Sequence, residues 1–183
     1  MTIHTTHPFA DPEPGRDPVR RLRGRLGGAV TLWTAGEGAD RAGLTVSSLM
    51  VAHGEPGRVL ALLDPDADLT DALEETGRAV VQLLRWRHRD LAEVFAGLAP
   101  APGGPFRQAT FTPTAWGPRL DGAEGWAGVR LESATEVGWS RLVTCVVEET
   151  HLEPAPDAAA AAGDASAAAD APLVHRRGRY GRG

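Results

Sequence analysis

The stretch RAGLTVSSLMVAHGEPGRVLALL, Arg41–Leu63, decides how this chain is read. Four small or hydroxyl-bearing positions, Thr45-Val46-Ser47-Ser48, stand between Gly43 and an apolar run. Alternate side chains of an extended strand share a face, so Thr45 and Ser47 point the same way and Ser48 follows where the strand ends. Hydroxyls and main-chain N–H groups there can hold a phosphate or a polar ring edge without any formal positive charge. A strand that merely ends in a serine-rich turn has the same letters, so the surroundings must decide.

Upstream, GGAVTLWTA reads as a strand, GEGADRAG as a turn and LTVSS as the returning strand, which predicts a hairpin over Ala29–Ser48. Downstream, RVLALLD (Arg58–Asp64) is an apolar run between GEPG and DPD, the pattern of a strand buried on both faces. A short helix is expected over Leu69–Thr76, with Asp68 as its cap, Asp71 and Glu74 near the positive end of its dipole, and Gly77 as its stop. RAVVQLL (Arg78–Leu84) is a further strand, and Leu91, Val94, Phe95 and Leu98 recur at helical spacing. GWAGVRLESATEV and SRLVTCVVEETHLE, separated by Gly138-Trp139, form the expected long hairpin.

Residues 1 to 18 carry four prolines and little apolar material, the composition of a flexible N-terminal tail. The arginines that follow, at 20, 21, 23 and 25, suit the solvated face of a short helix. The alanine-rich segment 154 to 172 has nothing large to bury and reads as a linker. Residues 173 to 183 regain apolar and aromatic character as a terminal strand with a basic tail. The expected fold is therefore mainly β: a closed or split β-barrel over residues 19 to 153, completed by 173 to 183 and decorated by two or three short helices.

A formal net charge of -5 gives no excess of cations for phosphate, so no general nucleic-acid partner is expected. No apolar run approaches the roughly 20 residues of a membrane span, and the first residues lack the apolar centre of a signal peptide. The lone Cys145 lies in an alternating apolar run and reads as a small core residue, so a cytoplasmic setting is expected. Asp64, Asp66, Asp68, Thr70 and Glu75 match five positions of a calcium loop, but Leu69 stands where that loop needs glycine. The six histidines and one cysteine show no zinc spacing, and neither G-x-S-x-G, a P-loop nor G-x-G-x-x-G occurs. No metal is expected. Large aromatics more often fill a core than hold a cofactor, which is the reading for Trp33, Trp86, Trp116 and Trp126.

The order of the motifs carries more than any one of them. Gly43-Leu44-Thr45-Val46-Ser47-Ser48 follows G-x-T-x-[NS]-S; Asp68-Leu69-Thr70-Asp71-Ala72-Leu73 is similar to an S-x-T-x-x-L helix start. Val80-Val81-Gln82-Leu83 stands for VVN-L, Leu91–Gly97 for LA-x-x-FAG, and Pro172–Tyr180 for a closing P-L-x-[YH]-x-x-G-x-Y. In that order they resemble the flavin reductase-like branch of the FMN-binding split-barrel proteins.

The resemblance implies a homodimeric split β-barrel that binds FMN or FAD near the subunit interface. Thr45, Val46, Ser47 and Ser48 match the segment lining the flavin ring and ribityl chain; Leu63, Asp68 and Thr70 match the segment that holds its phosphate. His175 and Tyr180 match the strand on the nicotinamide side. Trp139 and Ser140, after Gly138, replace the family's G-D-H, whose histidine lies near the nicotinamide. The implied activity is hydride transfer from NADH or NADPH to flavin, with reduced flavin passing to a partner monooxygenase. A flavin-binding barrel without reductase activity is the alternative that Trp139 motivates. The arginines of HRRGRYGRG, Arg176 and Arg177 first, are candidates for the nicotinamide cofactor's phosphates.

Overall fold

The computed structural model describes residues 18–153 and 171–183. Apart from Pro18, Ala171 and Pro172, the expected tail and linker lie outside the described residues. Seven antiparallel strands form one curled sheet, a half-barrel. Its strands are β2 (Thr31–Ala35), β3 (Ala42–Val46), β4 (Leu49–Ala52), β5 (Arg58–Leu63), β6 (Arg78–Leu83), β9 (Gly125–Val137) and β10 (Ser140–Leu152), in the spatial order β3-β2-β6-β9-β10-β5-β4. A small sheet joins β1 (Gly28–Ala29) to the hairpin β11 (Leu173–Arg176) and β12 (Arg179–Arg182). β7 (Phe111–Thr114) and β8 (Gly117–Leu120) pair separately. The helices are α1 (Pro18–Leu26), α2 (Asp68–Thr76) and α3 (Arg89–Phe95).

The expected hairpin is β2 and β3, paired Thr31 to Val46 through Ala35 to Ala42. The long hairpin is β9 and β10, whose register breaks after Thr144 and Val147 let it curl around the core. β5 differs from expectation. Val59, Ala61 and Leu63 are buried whereas Leu62 is 40% exposed, so one face only is covered. The outer face of the sheet is bare beside edge strand β4, where Met50, opposite Leu60, is also exposed.

Helix α2 starts one residue before the expected span, and Asp68 does not cap it. Ala67 occupies the cap position in extended conformation (φ -82°, ψ 135°), and no side chain bonds there. Asp68 and Asp71 sit in the first turn, where their charge favours the dipole. The helix does stop at Gly77, left-handed at φ 69°, whose N–H donates to the Leu73 carbonyl at 2.9 Å. Leu69 and Leu73 are fully buried against the sheet, each contributing roughly 1.5–3 kcal/mol by leaving water.

A second core lies under α3 and the terminal hairpin: Val30, Leu32, Leu84, Leu91, Ala92, Phe95, Leu120 and Leu173. The terminal segment thus forms two strands rather than the one expected, turning at Arg177 (φ 54°) and Gly178 (φ 75°). Cys145 belongs to the first core and is fully buried. Burial, and secondarily the charge of Glu132, pushes its thiol up to about 12. We expect no reaction with a thiol reagent at about pH 8 in the folded protein and one equivalent after denaturation. Rapid labelling of the native protein would contradict this packing.

Candidate flavin site

Two adjoining depressions lie where β3 ends, between the end of α3 and the terminal hairpin. The smaller, about 150 Å³, is lined by Val30, Thr45, Ser47, Ala96, Leu98, His175 and Tyr180. The larger, about 270 Å³, is bounded by Trp86, Arg89, Glu93 and Arg179, together with Leu98, Gly178, His175 and Tyr180. Leu98, His175 and Tyr180 are the wall they share.

Local packing fixes these walls. The Thr45 hydroxyl donates to the Ala92 carbonyl at 2.8 Å, tying β3 to α3. The Thr31 hydroxyl donates to the Val46 carbonyl at 2.8 Å and keeps the strand end in line. Ser47 is exposed, and its hydroxyl has no partner among the described residues. His175 packs edge-on against Tyr180, centroids 5.5 Å apart. Burial, then the nearby Arg23 charge, holds His175 below the usual imidazole value. Burial, then Glu93, pushes the Tyr180 phenol up. The shared wall is therefore uncharged at neutral pH.

The other sequence candidates line neither depression. The Ser48 hydroxyl donates to the Leu62 carbonyl at 2.7 Å and the Leu62 N–H donates back to the Ser48 carbonyl at 3.0 Å, so Ser48 is bound to β5. Leu63 is 1% exposed, which leaves only its main chain for a ligand. Thr70 is buried, its hydroxyl donating to the Asp64 carbonyl at 2.7 Å; Asp68 is exposed. Trp139, 74% exposed, lies in the β9–β10 turn, and Ser140 opens β10 just before Arg141, which pairs with Leu63. Neither lines a depression. Thr45, Ser47, His175 and Tyr180 line the depressions, while Ser48, although next to Ser47 in the chain, and Leu63, Asp68, Thr70, Trp139 and Ser140 line neither.

Sequence reasoning missed Arg89, Glu93 and Leu98, ranked Arg176 and Arg177 ahead of Arg179, and set Trp86 aside as core. Arg176 and Arg177 line neither depression; Arg179 does. The turn at Arg177 and Gly178 was the available signal, because a hairpin there brings Arg179 back opposite Arg176. Among the described residues, no cluster of His, Cys, Asp or Glu is fit for a metal ion.

Comparison with known proteins gives the family. Residues 23–183 match the model of the flavin reductase like domain. The chain belongs to the flavin reductase-like family. It is 29% identical to the NADH-dependent FMN reductase AsuE2 of Streptomyces nodosus subsp. asukaensis, over 92% of this chain and 85% of that one. It is 28% identical to the 4-hydroxyphenylacetate 3-monooxygenase reductase component of Thermus thermophilus, over 75% and 85%. The solved structure of the NADH:FAD oxidoreductase SgcE6 of Streptomyces globisporus C-1027 superposes with a TM-score of 0.75 at 22% identity, covering 94% of this flavin reductase-like chain and 95% of the other.

The residues suit a planar, mostly uncharged ring: an unbonded hydroxyl at Ser47, a neutral imidazole and a neutral phenol. Each depression alone falls below the roughly 300 Å³ at which pockets for small molecules begin, but they adjoin along three residues.

Proposed function

We propose that this protein is a flavin reductase, moving a hydride from NADH or NADPH to FMN or FAD and releasing reduced flavin to a partner monooxygenase. The observation that carries this reading is the joined pair of depressions, with an uncharged aromatic wall, in a chain of this family. The flavin supplies the hydride acceptor and the reduced nicotinamide the donor, which is why no side-chain acid or base is needed. Thr45 and Ser47 would line the ring, with Ser47 donating to its polar edge, while Val46, buried in the core, and Ser48, its hydroxyl engaged by Leu62, would offer main-chain groups only. Leu63, Asp68 and Thr70 would frame the phosphate through main-chain N–H groups, since Asp68 is an anion and the Thr70 proton is already engaged. His175 and Tyr180 would keep water from the face shared with the nicotinamide.

The separation of Trp139 and Ser140 from His175 supports a homodimer, in which the β9–β10 turn of a second copy completes the nicotinamide side. A free cysteine and a nicotinamide donor suit the reducing cytoplasm. No helix among the described residues is long and apolar enough to cross a membrane.

Anaerobic mixing with flavin and NADH should bleach the flavin at least about 100-fold faster than the same mixture without protein. Rates equal to the free mixture would reject the reductase. Retention of flavin through gel filtration without NADH oxidation would instead select a binding protein, the alternative favoured by the exposed Trp139 in place of a histidine.

A further inference from the structure

The larger depression has a chemistry that ring binding does not use. Arg89 and Arg179 both line it, on α3 and on β12. Trp86 forms its aromatic side; the Arg89 guanidinium lies 5.2 Å from the Trp86 ring centroid and that of Arg182 lies 4.7 Å away. Two cations from separate elements, Arg89 and Arg182, thus meet over Trp86, and a third, Arg179, lines the same concave surface. The anions nearby are Glu93, which lines the same depression, and Asp90, whose carboxylate is 3.3 Å from the Arg89 Nε. Asp90 is 79% exposed, so that ion pair is screened by water and leaves Arg89 available.

Guanidinium groups recognise phosphate oxygens through paired, charge-assisted N–H donors, and an indole offers a flat face to a purine. A ligand bearing a diphosphate next to an aromatic base would draw the Arg89 guanidinium from the Trp86 ring onto its phosphates and set its base against the indole face so released. Glu93 adds an acceptor for a ribose hydroxyl and would repel an additional phosphate on that sugar. The shared wall of Leu98, His175 and Tyr180 then connects this anionic end to the ring-binding depression.

We infer that the depression bounded by Trp86, Arg89, Glu93 and Arg179 binds the adenosine diphosphate end of a dinucleotide, and that Arg89 and Arg179 are binding residues for its phosphates. The inference rests on the reductase reading above. Two dinucleotides carry this group, the nicotinamide donor and FAD, and the experiment separates them.

The test compares the wild type with Arg89→Gln and Arg179→Gln, singly and together, in steady-state assays. The first arm uses NADH with FMN, where only the donor carries adenosine diphosphate. The second uses a 1-alkyl-1,4-dihydronicotinamide, which has no phosphate, with FAD. The third pairs that minimal donor with FMN, so that neither substrate carries the group.

Loss of one charge-assisted contact should raise KM for the dinucleotide by about 10- to 100-fold, with kcat and the third arm unchanged. A rise confined to the first arm assigns the depression to the nicotinamide dinucleotide; a rise confined to the second assigns it to FAD. Arg58→Gln, which removes the same charge from a pair with Glu132, controls for the overall field and should move no arm. Unchanged KM in both dinucleotide arms, or an equal loss in all three, overturns the inference while leaving the reductase intact. Failure of the wild type to turn over any donor sinks the reductase reading itself, and the inference with it.

Discussion

Replacing Gly43 with alanine is expected to lower the unfolding free energy by about 2–3 kcal/mol. A Cβ at this position would stand 2.6 and 2.8 Å from two carbons of the Phe95 ring and 3.3 Å from the Trp33 carbonyl oxygen. The ring has little room to retreat. It meets Phe106 and Phe111 edge-on, at centroid distances of 5.1 and 5.9 Å, and Phe106 meets Phe111 at 5.0 Å. Helix α3 must then lift away from β3, which stretches the Thr45 to Ala92 bond that holds the wall of the smaller depression. In a urea titration the midpoint should fall with its slope unchanged. Shortening the opposing residue as well, in Gly43→Ala/Phe95→Leu, should recover part of the loss. An unaltered midpoint in the single variant would mean that α3 does not rest on this glycine.

Gln82→Met should cost about 3 kcal/mol, although the two side chains have similar size and the site is fully buried. The Gln82 amide donates to the Thr34 hydroxyl oxygen at 3.0 Å, and its carbonyl accepts the Leu120 N–H in a short bond. The Thr34 hydroxyl in turn donates to the Pro118 carbonyl at 2.5 Å. These bonds clamp β8 onto β2 and β6. Methionine would strand the Leu120 N–H without a partner and without water, the costly way to lose a hydrogen bond. Denaturant unfolding measures the loss, and protection of the Leu120 amide against hydrogen exchange should fall with it. A cost below about 0.5 kcal/mol would show that water or another group replaces the glutamine.

Where hydrophobic period and turn chemistry agreed, the fold was legible in the chain. The β2–β3 and β9–β10 hairpins and the Gly77 stop all follow from local letters. β7 and β8 were not, because Pro113 pairs with Pro118 in the middle of the hairpin and proline removes the ladder donor that a strand normally shows. The burial of β5 was misjudged for a different reason: Leu60 and Leu62 are apolar yet face outward, and no local pattern reveals an uncovered sheet face. At the site, chain order brought Thr45 and Ser47 to notice. Arg179 was only one of several terminal arginines and Arg89 went unnoticed, because the two are far apart in sequence and come to one depression only when the terminal hairpin docks beside α3.

Tyr180 is the chain's single tyrosine and stands in the wall common to both depressions. Growth on fluorotyrosine therefore places one fluorine nucleus at that partition and nowhere else. Its lone resonance reads occupancy of either chamber from within, and a molecule spanning both would shift it differently from one that fills a single side.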